Sequence, residues 1–126
     1  MTDRLTTGDA TRRAVLGDAH VERTQAASTA LDAPFQRLVV ETAWGTLWAD
    51  DTIARRERSM ITIAILATIG NDAELALHIR ATARTGASRE DVIQALMHVA
   101  VYAGVPRANH AIRIARDTFA EMDAAP

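Results

Sequence analysis

Helical periodicity is the feature of this sequence that most limits its fold. Apolar residues recur at the three- and four-residue spacing of an α-helix through most of the chain, whereas the alternation typical of strands is scarce. Glycine, proline and helix-capping residues interrupt the pattern, and short connections of this kind favour antiparallel packing of neighbouring helices. The sequence therefore predicts an all-α fold, a compact bundle of about six helices.

Start and stop signals place these helices along the chain. A first, weakly amphipathic helix is expected from about Asp3 to Leu16, and a short helical turn follows to about Arg23. The segment from Met60 to Ile69 is apolar nearly all round, which predicts a helix buried by its neighbours. Later helices are expected to start at Asp32-Ala33-Pro34, Asp50-Asp51-Thr52, Asn71-Asp72, the capping box Ser88-Arg89-Glu90-Asp91, and about Arg107 after Gly104-Val105-Pro106.

Length and charge narrow the possible architectures and partners. With 126 residues there is room for one domain, expected over 1–126 with a core from about 33 to 120 and an N-terminal helical extension over 3–25. A formal net charge of -2 gives no electrostatic reason to expect a nucleic acid or an anionic membrane as partner. No apolar run approaches the roughly 18 residues of a membrane span, and the N-terminus lacks the apolar region of a secretory signal. A cytoplasmic protein is therefore expected.

Two residue types are missing from the sequence, and their absence excludes several chemistries. The chain has no cysteine, which excludes thiol peroxidases, disulfide exchange, thiolate nucleophiles and cysteine-based zinc sites. It also has no lysine, because all 14 basic residues are arginine. Schiff-base chemistry and covalent attachment of pyridoxal phosphate are therefore excluded as well.

A carboxylate and an imidazole share one face of the predicted helix that follows Asn71-Asp72. Glu74 and His78 are four residues apart, which places their side chains one helical turn from each other. They form either an ordinary surface pair, or a proton-transfer unit in which the carboxylate fixes the tautomer of the imidazole and raises its basicity. Arg80 lies on a different face and does not belong to this pair.

Further polar residues stand in otherwise apolar helices. His98 and Tyr102 repeat the four-residue spacing, and they are either a core histidine bonded to a carbonyl or to the tyrosine hydroxyl, or donors in a site. His110 is either a surface residue or a further donor. Arg58, with Ser59 beside it, lies one turn into its helix near the apolar half, where a guanidinium can hold a carboxylate.

The segment Trp44-Gly45-x-x-Trp48 places two of the few aromatic residues on either side of a glycine. Core packing accounts for Trp44 and Trp48. It does not account for Gly45, whose missing side chain permits either a sharp bend or a close approach of another segment. Glu41 lies one turn earlier, so a carboxylate is expected near the tryptophans.

These segments together resemble the carboxymuconolactone decarboxylase family. The resemblance lies in WGTLW, RSMITIA, ELALHIRA and YAGVP, in that order and with matching spacing, and it covers nearly the whole chain. It implies the all-helical fold of the alkylhydroperoxidase-D-like proteins, which carry Cys-x-x-Cys followed four residues later by histidine. Here Asn71 and Glu74 stand at the cysteine positions and His78 at the histidine, so the chain is similar to a cysteine-free, decarboxylase branch.

The resemblance implies a decarboxylase that uses no cofactor and no metal. Its expected substrate is a small dicarboxylate lactone, 4-carboxymuconolactone, which loses carbon dioxide to give 3-oxoadipate enol-lactone in the degradation of protocatechuate, an aromatic compound. The implied proton donor to the dienolate intermediate is His78, oriented by Glu74. Arg58 with Ser59 is expected to anchor the acetate carboxylate or to polarise the lactone.

Supporting roles and partners follow from the same resemblance. The remaining candidates are Trp44 and Trp48 as walls of the pocket, Glu41 as a second acid or base, and His98, Tyr102 and His110 as further donors, with a subunit interface as one possible place for them. A homo-oligomer, commonly a hexamer, is expected. Two alternatives stay open: a sister decarboxylase or isomerase acting on another lactone or keto acid, and a catalytically silent helical oligomer whose polar pairs only fix packing.

Overall fold

The computed structural model describes residues 3–125, and every regular element in this range is helical. The described chain contains seven α-helices, one π-helical segment and no strand, which confirms the predicted all-α class. None of the helices in this range is long and apolar enough to cross a membrane. The elements are α1 (Arg4–Leu16), α2 (Asp18–Ala27), α3 (Ala33–Val39), the π-helical segment (Val40–Leu47), α4 (Arg55–Ile69), α5 (Asp72–Thr85), α6 (Arg89–Tyr102) and α7 (Val105–Ala124).

Several predicted boundaries are confirmed by the capping contacts. Asp3 caps α1 by accepting a hydrogen bond from the Thr6 N–H at 2.8 Å, and Gly17 ends that helix. The capping box of α6 is complete, because the Asp91 N–H donates to the Ser88 hydroxyl at 3.0 Å and the Ser88 N–H donates to the Asp91 carboxylate at 2.9 Å. These bonds satisfy backbone donors that the first turn of a helix leaves without partners.

At two other predicted starts, an aspartate bonds to nearby groups outside the helix. The start of α3 at Asp32-Ala33-Pro34 is confirmed, but Asp32 does not cap the helix, since its carboxylate accepts hydrogen bonds from the Thr29 N–H at 2.7 Å and the Ser28 hydroxyl at 2.9 Å. Asp50 accepts from the Thr52 N–H at 2.8 Å, and α4 begins later than predicted. Such local bonds form turns in place of a first helical turn. The short turn predicted after Gly17 is instead a full helix, α2, and α7 begins slightly earlier than predicted.

The contacts within the chain divide it into two compact units, the first ending at Ala54 and the second beginning at Arg55. In the first unit, α1 crosses the π-helical segment at two glycines. A Cβ atom on Gly45 would lie 2.3 Å from the Arg4 carbonyl oxygen, and one on Gly8 would lie 2.2 Å from the Val40 carbonyl oxygen. Both neighbours are backbone atoms, so the crossing requires glycine at both positions. Of the two explanations for Gly45, the close approach is confirmed.

Gly45→Ala is expected to lower the free energy of unfolding by about 1–3 kcal/mol, because the added methyl group forces α1 and the π-helical segment apart. Urea denaturation followed by circular dichroism measures this loss. Thr42→Ala, at an exposed position of the same segment, is the matched control and should change the free energy by less than about 0.5 kcal/mol. If the two variants were equally stable, the crossing would tolerate a side chain and the steric argument would be wrong.

The second unit consists of α4 to α7 around one apolar core. Small alanines on the inner face of α7 allow it to pack closely against the longer side chains of α4, α5 and α6. An ion pair between Arg56 and Asp91 joins the starts of α4 and α6, and it holds the pKa of the Asp91 carboxyl well below its usual range, together with the Ser88 N–H. The buried core residues are Ile63, Ala67, Leu75, Ile79, Val92, Leu96, Val99, Ala108, Ala111, Ala115 and Phe119.

Helix α4 is buried on one face and exposed on another. Ile63 and Ala67 lie in the core, whereas Ile61, Ile65 and Ile69 are more than half exposed. The prediction that this helix is buried by its neighbours on nearly all sides is therefore wrong within a single chain. The cause is that the core contacts α4 along one stripe, while the apolar pattern of the sequence runs around the whole helix.

Candidate active site

Helix α5 carries Glu74 and His78, the predicted proton-transfer pair, and the structure gives the two side chains different environments. His78 is 7% exposed and lies beside the core residues Leu75 and Ile79, whereas Glu74 is exposed in the first turn. Asn71 caps the helix by accepting a hydrogen bond from the Glu74 N–H at 3.4 Å, as predicted. The helix therefore holds an imidazole in a nearly dry environment and a carboxylate in water one turn earlier.

Arg58 and Ser59 lie one turn into α4 and are both shielded from solvent. Ser59 is fully buried and Arg58 is half-buried. Within residues 3–125, the Ser59 hydroxyl has no hydrogen-bond partner. A buried hydroxyl without a partner costs about 1–3 kcal/mol, and such groups in native proteins call for a specific explanation. Ser59 is therefore a polar group that packing alone does not explain.

His98 and Tyr102 lie on the outer side of α6 rather than in the core. Their rings stack with centroids 6.2 Å apart and planes inclined by 12°. The interpretation of His98 as a core histidine is wrong, because Val92, Leu96 and Val99 occupy the inner side of the helix. The two rings line an open, mostly apolar cavity of about 340 Å³, together with Ala64, Ile65, Thr68, Ile69, Val99 and Ala103.

His110 and Arg80 form contacts that join α5 to α7. The His110 Nε2 atom lies 2.9 Å from the Asp72 carboxylate, and both side chains are about half exposed. Arg80, for which no role was predicted, forms an ion pair with Glu121. These contacts account for both residues as surface links between the two helices, and exposed pairs of this kind contribute about 0–1 kcal/mol.

In the first unit, the two tryptophans form a buried stack. Trp44 and Trp48 are each 5% exposed, with ring centroids 5.4 Å apart and planes inclined by 29°. Glu41, one turn earlier, accepts a hydrogen bond from Arg37 Nε at 2.8 Å and lies 3.7 Å from Arg4. Arg37 was not predicted as the partner of Glu41, although the four-residue spacing between them was an available signal.

Three of the predicted site residues are shielded from solvent and lie in the second unit. The buried or half-buried members of the second unit are Arg58, Ser59 and His78, which supply a guanidinium, a hydroxyl and an imidazole shielded from water. Shielded groups of this kind suit charge stabilisation and proton transfer. Among the described residues, no group of three or more His, Asp or Glu side chains is arranged to hold a metal ion.

Comparison with known proteins places these observations in a family. Residues 33–117 match the carboxymuconolactone decarboxylase family. The chain is 33% identical over 115 residues to 4-carboxymuconolactone decarboxylase of Acinetobacter baylyi, an alignment that covers 91% of this chain and 86% of that protein. It is 34% identical over 113 residues to nitrosuccinic acid decarboxylase of Metarhizium robertsii, covering 88% of this chain and 78% of that protein. The resemblance seen in the sequence is thereby confirmed, and the chain belongs to the carboxymuconolactone decarboxylase family.

Proposed function

We propose that the protein is a cofactor-independent carboxy-lyase that converts 4-carboxymuconolactone to 3-oxoadipate enol-lactone and carbon dioxide, in protocatechuate degradation. The observation that carries this proposal is the similarity to the Acinetobacter baylyi decarboxylase along 91% of the chain. The buried imidazole of His78 supports it, because this reaction needs a proton donor in a site protected from water.

The substrate itself provides the electron sink for this reaction. The departing carboxylate is vinylogous to the lactone carbonyl, so the electron pair of the breaking C–C bond is delocalised into the ring as a dienolate. A proton then adds to the carbon alpha to the carbonyl, which gives the enol-lactone. The enzyme must therefore stabilise the developing oxyanion, donate one proton and hold the acetate arm, but must not bind the leaving carboxylate tightly, since that would stabilise the ground state.

We assign the proton transfer to His78 and an indirect role to Glu74. His78 donates its proton to the alpha carbon of the dienolate and regains one from solvent after product release. Its burial supports this role, because a donor in a dry environment acts on the dienolate without competition from water. Glu74 keeps the role that the sequence resemblance implies, which is to set the tautomer and basicity of the imidazole from its exposed position one turn earlier.

We assign the carboxylate anchor to Arg58, with Ser59 as a second donor. A guanidinium can hold a carboxylate through two parallel hydrogen bonds, which fixes both its position and its orientation. The fully buried Ser59 hydroxyl, which has no partner among the described residues, supports this assignment because a bound oxyanion would satisfy it. Trp44, Trp48, Glu41, His98, Tyr102 and His110 keep the supporting roles that the sequence resemblance implies, and each role is open to test by substitution.

A second candidate substrate is nitrosuccinic acid, favoured by the 34% identity to the Metarhizium robertsii decarboxylase. The two substrates share their essential chemistry. Each loses one carboxylate and passes the electron pair to an acceptor, through a C=C bond to the lactone carbonyl in one case and directly to a nitro group in the other. Each keeps a second carboxylate. A shielded acid and a carboxylate anchor would serve both reactions. The shape of the pocket would therefore determine which of the two substrates the protein accepts.

Purified protein supplied separately with 4-carboxymuconolactone and nitrosuccinic acid tests both candidates. We expect loss of the ultraviolet absorbance of the lactone with one equivalent of carbon dioxide released, and no change in rate when a chelator is added. Turnover of nitrosuccinic acid alone would replace the first candidate by the second. A folded protein that released carbon dioxide from neither would rule out both, and would favour a catalytically silent helical protein.

We also propose that the protein is a homo-oligomer, with the hexamer as the expected size from the sequence resemblance. The support is the apolar outer stripe of α4, which three half-exposed isoleucines form within a single chain. Single chains rarely leave an apolar patch of this kind open to water.

A further inference from the structure

A cavity of about 270 Å³ lies within the first unit, between α1, α2 and α3. Its volume is close to the lower end of the roughly 300–1,000 Å³ that pockets for small molecules occupy. Ala33 and Val40 form its apolar wall. Its polar lining consists of Arg12 from α1, Gln25 and Ser28 at the end of α2, and Gln36 and Arg37 from α3.

Two guanidinium groups give this cavity its positive charge. Arg12 is 7% exposed, so its charge lies in a largely desolvated position, where electrostatic attraction is stronger than in water. Arg37 is exposed, so the cavity has one shielded and one solvent-facing cation. Among the lining residues that the structure describes, none is acidic. The charge of the lining therefore favours an anion as ligand.

Arg37 keeps hydrogen-bond donors available for such a ligand. Its Nε atom donates to Glu41 at 2.8 Å, and Glu41 also lies 3.7 Å from Arg4, so that two cations share this carboxylate. Within residues 3–125, the terminal Nη atoms of Arg37 form no hydrogen bond or ion pair. A guanidinium carries five N–H donors, and those on the two Nη atoms can hold a carboxylate through paired hydrogen bonds.

The acidic residues that contact the polar wall have donors of their own. Asp32 accepts a hydrogen bond from the Ser28 hydroxyl at 2.9 Å. Asp9 accepts one from the Gln25 amide at 3.2 Å and another from Arg13 at 3.0 Å. These bonds fix Ser28 and Gln25 in place before a ligand binds, which lowers the entropy that binding costs.

We propose that this cavity binds a small organic carboxylate, whose charge is held by Arg12 and Arg37. The apolar wall of Ala33 and Val40 then contacts the carbon skeleton of the ligand. This wall favours an organic anion over inorganic phosphate, which has no apolar part to place against it. The inference goes beyond the proposed decarboxylation, because the residues assigned to that reaction belong to the second unit.

The ligand would join helices of the first unit to each other. Helix α3 has no buried residue, so burial of apolar surface contributes little to holding it in place. A carboxylate bound to Arg12 on α1 and to Arg37 on α3 bridges these two helices. A ligand that binds only the folded state stabilises it by mass action. Succinate should therefore raise the thermal midpoint of the wild type but not that of Arg37→Gln.

Isothermal titration calorimetry of the purified full chain with succinate tests the site. We expect saturable binding with a Kd below about 1 mM. Succinamide has the same carbon skeleton without charge and should not bind measurably, and inorganic phosphate should bind at least about ten-fold more weakly than succinate. Absence of succinate binding would overturn the site. Equal binding of succinamide, or tighter binding of phosphate, would overturn the assignment to an organic carboxylate.

Arginine variants locate the bound succinate. Arg37→Gln should raise the Kd by at least about ten-fold and should fold normally, because Arg37 is exposed. Arg12→Gln should act in the same direction, with circular dichroism to check its fold, since Arg12 is nearly buried. Arg23→Gln is the matched control, because Arg23 is an exposed arginine of α2 outside the lining, and its Kd should stay within about two-fold of the wild type. An unchanged Kd in Arg37→Gln would refute the proposal.

Arg58→Gln separates this cavity from the candidate active site. Succinate held by the proposed substrate anchor would be lost in Arg58→Gln and kept in Arg37→Gln, and that result would refute the cavity as a site. Equal loss in both variants would refute it as well, whereas loss in Arg37→Gln alone would support it. Carbon dioxide release is read separately, so a protein that binds succinate in the cavity but turns over neither substrate would keep this site and lose only the proposed function.

Discussion

His78→Gln is expected to lower kcat by at least about 100-fold, the low end of the contribution of a general acid. Glutamine is close to histidine in size and keeps a hydrogen-bonding side chain, so the nearly buried position should tolerate it. Glutamine cannot supply an acidic proton at neutral pH. Protonation of the dienolate would then depend on water and would be slower. Steady-state kinetics with 4-carboxymuconolactone measures the loss.

A loss of activity alone would not separate a missing proton donor from a disturbed fold. Circular dichroism and the thermal midpoint of His78→Gln should therefore match those of the wild type. His20→Gln is the matched control, since it makes the same change on α2 at a residue that carries no proposed role. Full activity of His78→Gln would show that the imidazole is structural.

The stereochemistry of protonation identifies the donor more directly. In deuterated water, a donor fixed on one side of the substrate should place deuterium on one face of the alpha carbon, and the product would be a single stereoisomer at that carbon. In His78→Gln the residual product should carry deuterium on both faces, because solvent supplies it. Unchanged stereochemistry in the variant would assign the proton to another residue. Glu74→Gln should keep the selectivity while shifting the pH dependence of kcat, as its positioning role requires.

The helical class and most helix ends were predictable because they depend on local chemistry. Capping side chains and glycines act within a few residues of themselves, and the cap at Asn71 and the capping box at Ser88 are found as predicted. Asp32 and Asp50 show the limit of this approach. Both can bond to more than one nearby backbone donor, and the sequence does not reveal which bond prevails.

Burial was less predictable because it depends on which neighbours a helix meets. Apolar composition alone suggested that α4 and His98 were internal, but three isoleucines of α4 are more than half exposed and His98 lines an open cavity. The π-helical segment and its close crossing with α1 at Gly8 and Gly45 were also beyond the sequence pattern. Such a crossing is a contact between distant segments, which local propensities do not encode.

The candidate site was also predictable in its residues but not in their burial. Family motifs pointed to His78, Arg58 and Ser59, and the structure shields all three from solvent to different degrees. The four-residue spacing of Glu74 and His78 suggested one shared environment, yet one side chain is exposed and the other buried. Periodicity determines on which side of its helix a side chain lies. Whether that side chain is buried or exposed depends on the helices that pack around it.

Arg58→Gln is expected to lower kcat/KM by roughly 100-fold, equivalent to about 2.7 kcal/mol, because it removes the cation proposed to hold a substrate carboxylate. Arg55→Gln is the matched control, since Arg55 is an exposed arginine in the first turn of the same helix and should change kcat/KM by less than about two-fold. Equal behaviour of the two variants would remove Arg58 from the site.

The division of this loss between KM and kcat decides which group Arg58 holds. An anchor for the acetate carboxylate binds substrate and transition state alike, so its loss should raise KM and leave kcat nearly unchanged. A group that stabilises the developing lactone oxyanion acts only in the transition state, so its loss should lower kcat. Arg58→Lys sharpens the distinction, because lysine restores the charge but not the paired hydrogen bonds of the guanidinium. Substantial recovery of KM by lysine would indicate that charge suffices for anchoring, whereas recovery of neither constant would indicate that the geometry of the guanidinium is required.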